Sequence, residues 1–334
     1  MQYRELGSTG IHVSEIGFGT WGLGGVTPGS TSYGAISDDT AIEALEVALS
    51  AGINFFDTSN VYGDGHSEVL LGQVLGKAIG CDRSDVVISS KLGMQNYRQK
   101  LEMTADNMER SLQGSLERLQ TDYLDVLHLH MVTLEELVEK PSILNALRRF
   151  QVDKKVRAIA ISLNNPLDSC NRLIFEHFQA VQVNFSLLDM RLISSGFFNN
   201  NKVNKPGALA RTPLNFGFLA QNFPKDITFE KCDHRSRWPR SQIESWIDGA
   251  NQMFEAIGLC DVEDIQARTY LALKFCLSFS GISTVLAGMH NASEVKMNIR
   301  AAEGPKINQK LLASAIKAYE LWEQKTSVRS GQVY

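Results

Sequence analysis

The sequence has few of the features that mark a disulfide framework or a metal site. Its five cysteines include no C-x-x-C pair, and an odd number of cysteines in a long chain argues against a disulfide framework. Reduced thiols fit a cytoplasmic protein best. The seven histidines are scattered without metal-ligand spacing, so we expect no metal site.

The sequence also lacks a segment that could enter a membrane. Its N-terminus carries no apolar signal region. The most apolar late stretch, residues 271–289, is interrupted by Lys274 and Gly281 and is too broken to span a bilayer. A net charge of only −4 gives no indication of binding to nucleic acid or to an anionic membrane surface. We therefore expect a cytoplasmic protein with neither a membrane nor a nucleic-acid partner.

The composition is that of an ordinary globular protein. Hydrophobic residues make up 43% of the chain and charged residues 21%, so a core of useful size is available. On length alone, 334 residues suit about two domains, but α/β barrels of this length routinely form one. Since no domain boundary stands out, we expect a single domain over residues 1–334.

Helical and strand patterns alternate along most of the chain. After a small hairpin over residues 2–13, apolar runs predict eight strands at residues 14–18, 53–56, 85–90, 123–129, 156–161, 180–183, 207–211 and 282–286. Helical spacing predicts helices at about 39–50, 67–79, 105–119, 134–150, 167–178, 263–279, 291–302 and 308–325. Eight strand–helix units joined by right-handed crossovers predict a closed (β/α)8 barrel.

Three stretches depart from this alternation. Residues 19–25 are rich in glycine, but no G-x-G-x-x-G opens a helix there, which excludes a Rossmann dinucleotide fold. Residues 197–206 are rich in Asn and Lys where a helix would be expected. Residues 217–240 form a long polar stretch after a strand, and we expect them over the C-terminal face of the barrel, as either a lid or a solvated insertion.

Polar residues follow or finish five of the predicted strands. They are Asp57, Lys91, His130, Ser162 and Gln182. Each alone has an ordinary structural explanation, such as a turn residue, a solvated strand end or a core histidine. In a barrel, however, the carboxyl ends of all strands meet at one face, so the five side chains should share one pocket.

Tyr62 lies in the loop beyond Asp57, and its chemistry fits this set. A tyrosine has a reference pKa of about 10, and a nearby Lys91 ammonium would lower it by favouring the phenolate. Asp57 would hold Lys91 charged and oriented, while a neutral His130 could donate to a carbonyl oxygen. Such a group protonates an alkoxide as it forms, which carbonyl reduction requires. Nothing in the chain carries hydride, so a nicotinamide cofactor is implied.

Several motifs match one family in their order and spacing. They are residues 17–21 (GFGTW), 54–63 (NFFDTSNVYG), 90–93 (SKLG), 122–130 (DYLDVLHLH), 181–189 (VQVNFSLLD) and 210–214 (ARTPL). On these motifs the sequence resembles the aldo-keto reductase superfamily along nearly its whole length. No nucleophile elbow, P-loop or H-E-x-x-H supports a hydrolase or a kinase.

The resemblance implies a (β/α)8 barrel that binds NADP(H) or NAD(H) in extended form. It makes Tyr62 the general acid and base, Lys91 and Asp57 the groups that tune it, and His130 the residue that orients the carbonyl. His128, two residues earlier, is not the family's catalytic position. Trp21 would line the substrate pocket. The implied cofactor-binding residues are Gly19, Thr20, Ser162, Asn164, Gln182, Arg211, Thr212, Pro213, Leu214, Gly217, Leu219, Gly288, His290, Glu294 and Asn298.

The sequence departs from the family pattern at both ends of the cofactor. Leu163 stands where an Asn usually holds the nicotinamide carboxamide, which leaves Asn164 as its substitute, and Arg211 replaces a stacking aromatic ring. Glu294 stands where an Arg often contacts the 2′-phosphate of NADP, and His290 and Lys296 are the nearby cations. Family usage still favours NADP(H) over NAD(H).

Two classes of function remain open at this point. The first is an NAD(P)(H)-dependent oxidoreductase that acts on a small carbonyl or alcohol, with aldehydes and sugars both compatible. The second is a cofactor-sensing regulatory subunit similar to the potassium-channel β subunits. The sequence gives no indication of the oligomeric state.

Overall fold

Twelve β-strands and eleven α-helices occur in the part of the chain that the computed structural model describes, which is residues 1–27, 32–77, 82–200, 204–259, 261 and 263–325. The strands are β1 (Tyr3–Glu5), β2 (His12–Ser14), β3 (Ile16–Gly19), β4 (Phe55–Asp57), β5 (Val87–Leu92), β6 (Met94–Asn96), β7 (Gln99–Lys100), β8 (Leu124–His130), β9 (Val156–Ser162), β10 (Ala180–Asn184), β11 (Gly207–Arg211) and β12 (Ile282–Gly288). The helices are α1 (Asp38–Ser50), α2 (His66–Lys77), α3 (Ala105–Leu119), α4 (Leu134–Glu139), α5 (Ser142–Val152), α6 (Arg172–His177), α7 (Arg191–Ser194), α8 (Arg240–Ala256), α9 (Ile265–Leu277), α10 (Ala292–Ile299) and α11 (Gln309–Lys325).

Eight of these strands close into a parallel barrel. The order around it is β3, β4, β5, β8, β9, β10, β11 and β12, which pairs again with β3. Each barrel strand therefore lies beside the next one in the chain, as right-handed crossovers through outer helices require. This confirms the predicted (β/α)8 barrel and its N-terminal hairpin, β1–β2.

The interior of the barrel divides into an apolar and a polar half. At the amino ends of the strands, Leu6 and Val13 of the hairpin segment pack with Phe55 and Val87 in a buried cluster. Because side chains alternate along a strand, the inward positions nearer the carboxyl ends are those of Asp57, Lys91 and their register partners. The larger apolar cluster fills the space between the strands and the outer helices.

Local sequence explains where the helices begin. Ser37 and Thr104 cap α1 and α3, each accepting a hydrogen bond from the backbone N–H three residues on. Helix α3 buries Met108, Leu112, Leu116 and Leu119, the spacing of one helical face. The predicted bounds 105–119 are those observed.

Two predicted helices are divided in the structure. The helix expected at 134–150 is wrong as one element, because Pro141 separates α4 from α5 and disfavours helical backbone at Lys140. The helix expected at 167–178 is a 3₁₀ turn, Pro166–Cys170, followed by α6, with extended backbone at Asn171 between them.

Helices α7 and α8 had no counterpart in the sequence prediction. The small β6–β7 hairpin that follows β5 had none either. Residues 78–79 of the predicted second helix and 201–203 of the Asn-rich stretch lie outside the described residues.

The long stretch after β11 covers the carboxyl face of the barrel. Its Asp233, His234 and Trp238 are buried, and the backbone N–H of His234 donates to the carbonyl of Ser32 at 2.9 Å. The Trp238 ring packs edge-on against Trp246 of α8. The end of the stretch therefore packs against the loop after β3, as expected of a lid, whereas most of residues 221–231 are exposed, as expected of a solvated insertion. Among the described residues, no helix has the length and apolar character needed to cross a membrane.

Replacing Arg4 should destabilise the fold through the hairpin that closes the barrel floor. Arg4 donates to the carbonyls of Leu277 and Ile282, each at 2.7 Å, and to that of Phe279 at 3.3 Å, and it pairs with Glu15. Arg4→Met should lower the free energy of unfolding in urea by about 2–4 kcal/mol, since several charge-assisted hydrogen bonds are lost together. The exposed Gln2→Ala is the control, and a loss under about 1 kcal/mol in Arg4→Met would contradict this role.

Candidate active site

A buried ion pair forms the base of the pocket at the carboxyl face. Lys91 Nζ donates to Asp57 Oδ2 at 2.6 Å and to the carbonyl of Thr58 at 2.7 Å. Ser89 Oγ donates to the other oxygen of Asp57 at 2.9 Å. Lys91 is 2% exposed and Asp57 4%, so both charges lie in a low-dielectric environment. Burial lowers the pKa of Lys91, and the Asp57 carboxylate acts against that shift.

Tyr62 lies directly above this pair. It opens the 3₁₀ turn Tyr62–Gly65, and Lys91 Nζ lies 4.7 Å from the centroid of its ring. Gly63 has a φ of +59°, and a Cβ there would lie 2.4 Å from the carbonyl oxygen of Gly24. This close approach locks the Tyr62 turn against the 3₁₀ turn Thr20–Gly24, which carries Trp21. The ammonium and the phenol are thus held in contact by the backbone around them.

Two histidines of β8 reach the same interior. His130 lies in register with Ser162, and His128, one layer deeper, lies in register with Lys91. Burial lowers the pKa of His128 to about 3, and burial followed by the charge of Lys91 lowers the pKa of His130 well below its usual value. Both rings are therefore neutral near pH 7, and each keeps one N–H donor.

Most of the predicted site residues line one cleft of about 1480 Å³. They are Gly19, Trp21, Asp57, Tyr62, His130, Gln182, Arg211, Thr212, Pro213, Leu214, Gly217, Gly288, His290, Glu294 and Asn298. Lys91, Thr20 and Ser162 are buried outside this lining. Asn164 is exposed and outside the cleft, and Leu219 is buried in the large apolar cluster. The structure thus unites eighteen of the twenty predicted residues, since Lys91 and Thr20 hydrogen-bond to Asp57 and Ser162 accepts a hydrogen bond from Arg211, and it leaves Asn164 and Leu219 apart from them.

Arg211 spans the ends of two barrel strands. Its guanidinium donates to Ser162 Oγ at 3.3 Å and to the carbonyl of Leu163 at 3.0 Å. The Leu163 side chain itself belongs to the large apolar cluster. Arg211, Gln182, Asn184 and Thr212 supply polar surface to this end of the cleft.

Glu294 holds a fixed carboxylate at the other end of the cleft. It accepts from the backbone N–H of His290 at 2.8 Å, from His290 Nδ1 at 3.0 Å and from Asn291 Nδ2 at 3.1 Å. Burial acts to raise the pKa of Glu294, but the hydrogen bonds and charge of His290 outweigh it, and the pKa lies below its usual value. Glu294 is therefore ionised at this end of the cleft, beside the His290 ring.

The structure also brings cleft residues together that the sequence analysis missed. Tyr97 of the β6–β7 hairpin accepts a hydrogen bond from Trp21 Nε1. Tyr33 and His234 pack edge-on against Trp21, with ring centroids 5.2 and 4.7 Å away. No spacing in the sequence links these positions, because they come from three separate loops.

The lowered pKa of His128 should make the free energy of unfolding depend on pH. The unfolded state takes up a proton below about pH 6.5, whereas folded His128 does so only near pH 3. Neutral His128 therefore contributes its full share to the free energy of unfolding above pH 6.5. That share is lost as the pH falls toward 3, at up to about 1.4 kcal/mol per pH unit. Urea unfolding between pH 7 and 4.5 should show a flatter pH dependence for His128→Gln than for the wild type. The exposed His12→Gln should keep the wild-type slope, and equal slopes in all three proteins would refute this origin.

Comparison with known proteins finds relatives that match this chain over most of its length. The chain is 31% identical over 314 residues to L-galactose dehydrogenase of Arabidopsis thaliana, covering 90% of this chain and 88% of that protein. It is 27% identical over 306 residues to aldo-keto reductase YhdN of Bacillus subtilis, covering 89% and 87%. It is 27% identical over 318 residues to a probable voltage-gated potassium channel subunit beta of Oryza sativa, covering 91% and 92%.

Solved structures show the same fold at low sequence identity. The holo form of an aldo-keto reductase from Bacillus halodurans superposes with a TM-score of 0.75 at 22% identity, covering 100% of this chain and 98% of that one. The glycerol dehydrogenase of Gluconobacter oxydans gives a TM-score of 0.73 at 20% identity, covering 95% and 94%. The family model for the aldo/keto reductase family matches residues 15–319. The chain therefore belongs to the aldo/keto reductase family.

Proposed function

We propose that this protein is an NAD(P)(H)-dependent oxidoreductase that reduces an aldehyde, ketone or sugar carbonyl, or oxidises the matching alcohol. The observation that carries this proposal is the buried Lys91–Asp57 pair, 2.6 Å apart, with Lys91 Nζ 4.7 Å from the centre of the Tyr62 ring. The dehydrogenase and reductase among the relatives support the same reaction class.

Tyr62 is the proposed proton donor and acceptor. A phenol exchanges protons near neutrality only when its phenolate is stabilised, and the Lys91 ammonium supplies that stabilisation in a water-poor environment. Asp57 does not contact the substrate in this scheme. It keeps Lys91 charged against the effect of burial and, with the Thr58 carbonyl, fixes where the ammonium points.

His130 is the proposed residue that orients the carbonyl. Its neutral ring keeps one N–H donor, and both His130 and Tyr62 line the cleft. Two donors converging on one oxygen stabilise the negative charge that develops as the carbonyl becomes an alkoxide. Burial of the ring, together with the positive charges of Lys91 and Arg211, keeps it neutral in the working pH range.

An extended nicotinamide cofactor is the proposed occupant of the cleft. The cleft runs from Tyr62 and Gln182 to Glu294 and Asn298, and a Cβ on Gly288 would meet no atom within 4 Å, so the middle is open. When bound, the cofactor supplies the hydride that the chain's own side chains lack. Arg211 and Gln182 would hold its nicotinamide end, and the Thr212–Leu214 segment would line its path.

Cofactor preference depends on the far end of the cleft. Family usage favours NADP(H) over NAD(H), but the ionised Glu294 would repel a 2′-phosphate placed beside it. We therefore propose that Glu294 weakens binding of NADP(H) relative to NAD(H).

A regulatory role is the second candidate, favoured by the relative from Oryza sativa. A cofactor-sensing subunit would bind NADPH or NADH tightly but turn over aldehydes and sugars very slowly. Steady-state assays with a panel of both substrate types distinguish the two functions.

Removing the Tyr62 hydroxyl should abolish catalysis while cofactor binding survives. Tyr62→Phe keeps the ring over Lys91 but lacks the transferable proton, so kcat should fall by about 10²–10⁴-fold. The dissociation constant for the cofactor, measured by fluorescence titration, should change less than about threefold. Wild-type-like turnover in Tyr62→Phe would show that Tyr62 is not the acid.

Neutralising Glu294 should shift the cofactor preference. Glu294→Gln removes the negative charge at nearly constant shape, and the Kd ratio of NADPH to NADH should fall about tenfold, or about 1.4 kcal/mol, as expected for partly screened like charges. Glu303 is exposed and lies just beyond the turn that follows α10. The control Glu303→Gln should leave the Kd ratio unchanged. An unchanged ratio in Glu294→Gln would mean that this carboxylate does not face the 2′ position.

A further inference from the structure

The small β6–β7 hairpin is built onto the catalytic face. The N–H of Leu101 donates to the carbonyl of Gly93 at 2.9 Å and closes the base of the hairpin. Gly93 has a φ of +139°, and a Cβ there would lie 2.1 Å from the carbonyl oxygen of His130. Only glycine allows this approach, so the hairpin base lies directly against the end of β8.

Two further contacts join the hairpin to the loops around Tyr62. Asn60 Nδ2 donates to the carbonyl of Met94 at 2.8 Å, which connects the loop before Tyr62 to the first hairpin strand. At the hairpin turn, the Tyr97 hydroxyl accepts from Trp21 Nε1. The Trp21 turn is itself locked against the Tyr62 turn. Tyr97 is therefore held relative to both His130 and Tyr62.

The Tyr97 O–H can donate one further hydrogen bond. A phenol can donate one hydrogen bond as well as accept, and here its oxygen accepts from Trp21. Among the described residues, none accepts from the Tyr97 O–H, and Tyr97 lines the cleft together with Tyr62 and His130. Burial raises the pKa of Tyr97, with the nearby Tyr62 acting in the same direction. The hydroxyl therefore remains a donor throughout the working pH range.

We propose that Tyr97, positioned by Trp21, donates a hydrogen bond to a hydroxyl group of the substrate, so that the enzyme favours hydroxylated carbonyl compounds such as small sugars over plain aldehydes. This inference rests on the proposed function, because it takes Tyr62 and His130 to hold the carbonyl oxygen. A site with a partly buried donor discriminates against a substrate that lacks the matching oxygen, since the donor then loses its partner.

Glyceraldehyde and propanal test this donor directly, because they share a three-carbon skeleton and differ only in hydroxyl groups. Steady-state kinetics at saturating cofactor should show that Tyr97→Phe lowers kcat/KM for glyceraldehyde about tenfold, mainly through KM. The value for propanal should change less than about twofold. Comparing the two proteins on each substrate cancels differences in aldehyde hydration. Tyr123→Phe, outside the cleft, is the matched control.

Each other result has a definite meaning. Equal losses for both aldehydes would overturn the inference, because Tyr97 would then only support the hairpin. Unchanged kinetics for both would overturn it as well. Failure of the wild type to turn over either aldehyde with NADPH or NADH would count against the proposed function itself, and the inference would fall with it.

Trp21 is the positioning residue in this scheme, and a double-mutant cycle tests it. Trp21→Phe should reduce the preference for glyceraldehyde over propanal by a smaller factor than Tyr97→Phe. In the Tyr97→Phe background, the same Trp21 change should have no further effect on that preference, because the two residues act through one hydroxyl. Additive effects would show that Trp21 contributes independently of Tyr97.

Discussion

The buried ion pair between Lys91 and Asp57 is the constraint on which the rest of the molecule depends. Moving two charges out of water is costly, and the attraction between them compensates only when the remaining donors and acceptors are satisfied. Here Ser89 and the Thr58 carbonyl provide that satisfaction. The inside of the barrel must therefore be polar near the carboxyl ends of its strands. Apolar side chains inside the barrel are confined to the amino ends. The N-terminal hairpin completes that apolar half by adding Leu6 and Val13 to the barrel floor.

The same pair requires a rigid surround, because an ammonium can act on a phenol only at short range. That rigidity comes from backbone packed against backbone. Gly24 and Gly63 bring the Trp21 and Tyr62 turns together, and Gly93 brings the β6–β7 hairpin against His130. A Cβ at Gly24, Gly63 or Gly93 would lie 2.6, 2.4 or 2.1 Å from a backbone atom of the facing loop, so a side chain there would force the loops apart. The glycines thus act on the proposed chemistry through distance, although none of them carries a reactive group.

The barrel and the ion pair were predictable because they depend on local patterns. Asp57, Lys91 and His130 each end a short apolar run, and strand ends of a barrel converge whatever their loops contain. The division of two predicted helices was harder to predict from the sequence, although Pro141 marks one of the breaks. Helix α8 was missed because a long polar stretch separates it from β11, so the alternation of strand and helix is interrupted there.

Residues of the cleft that depend on long-range contacts were harder to predict. The hydrogen bond from Trp21 to Tyr97 joins positions 76 residues apart, and no periodicity relates them. Asn164 was expected beside the cofactor by proximity in sequence alone. Leu163 packs into the core and Asn164 is exposed, so neither side chain of this pair lies in the cleft lining. Arg211, whose guanidinium reaches across to Ser162 and the Leu163 carbonyl, provides the polar group at that point.

These differences separate what the barrel determines from what the loops determine. The strand ends place Asp57, Lys91 and His130, which set the proposed reaction. The groups that we propose to distinguish one substrate or cofactor from another lie on the loops: Tyr97 on the hairpin after β5, and Glu294 at the start of α10. Because each loop group is held by hydrogen bonds that do not involve the ion pair, either could be exchanged without disturbing the charges beneath. A change of specificity therefore requires only local substitutions. A change of reaction would require a different set of partners to stabilise two buried charges.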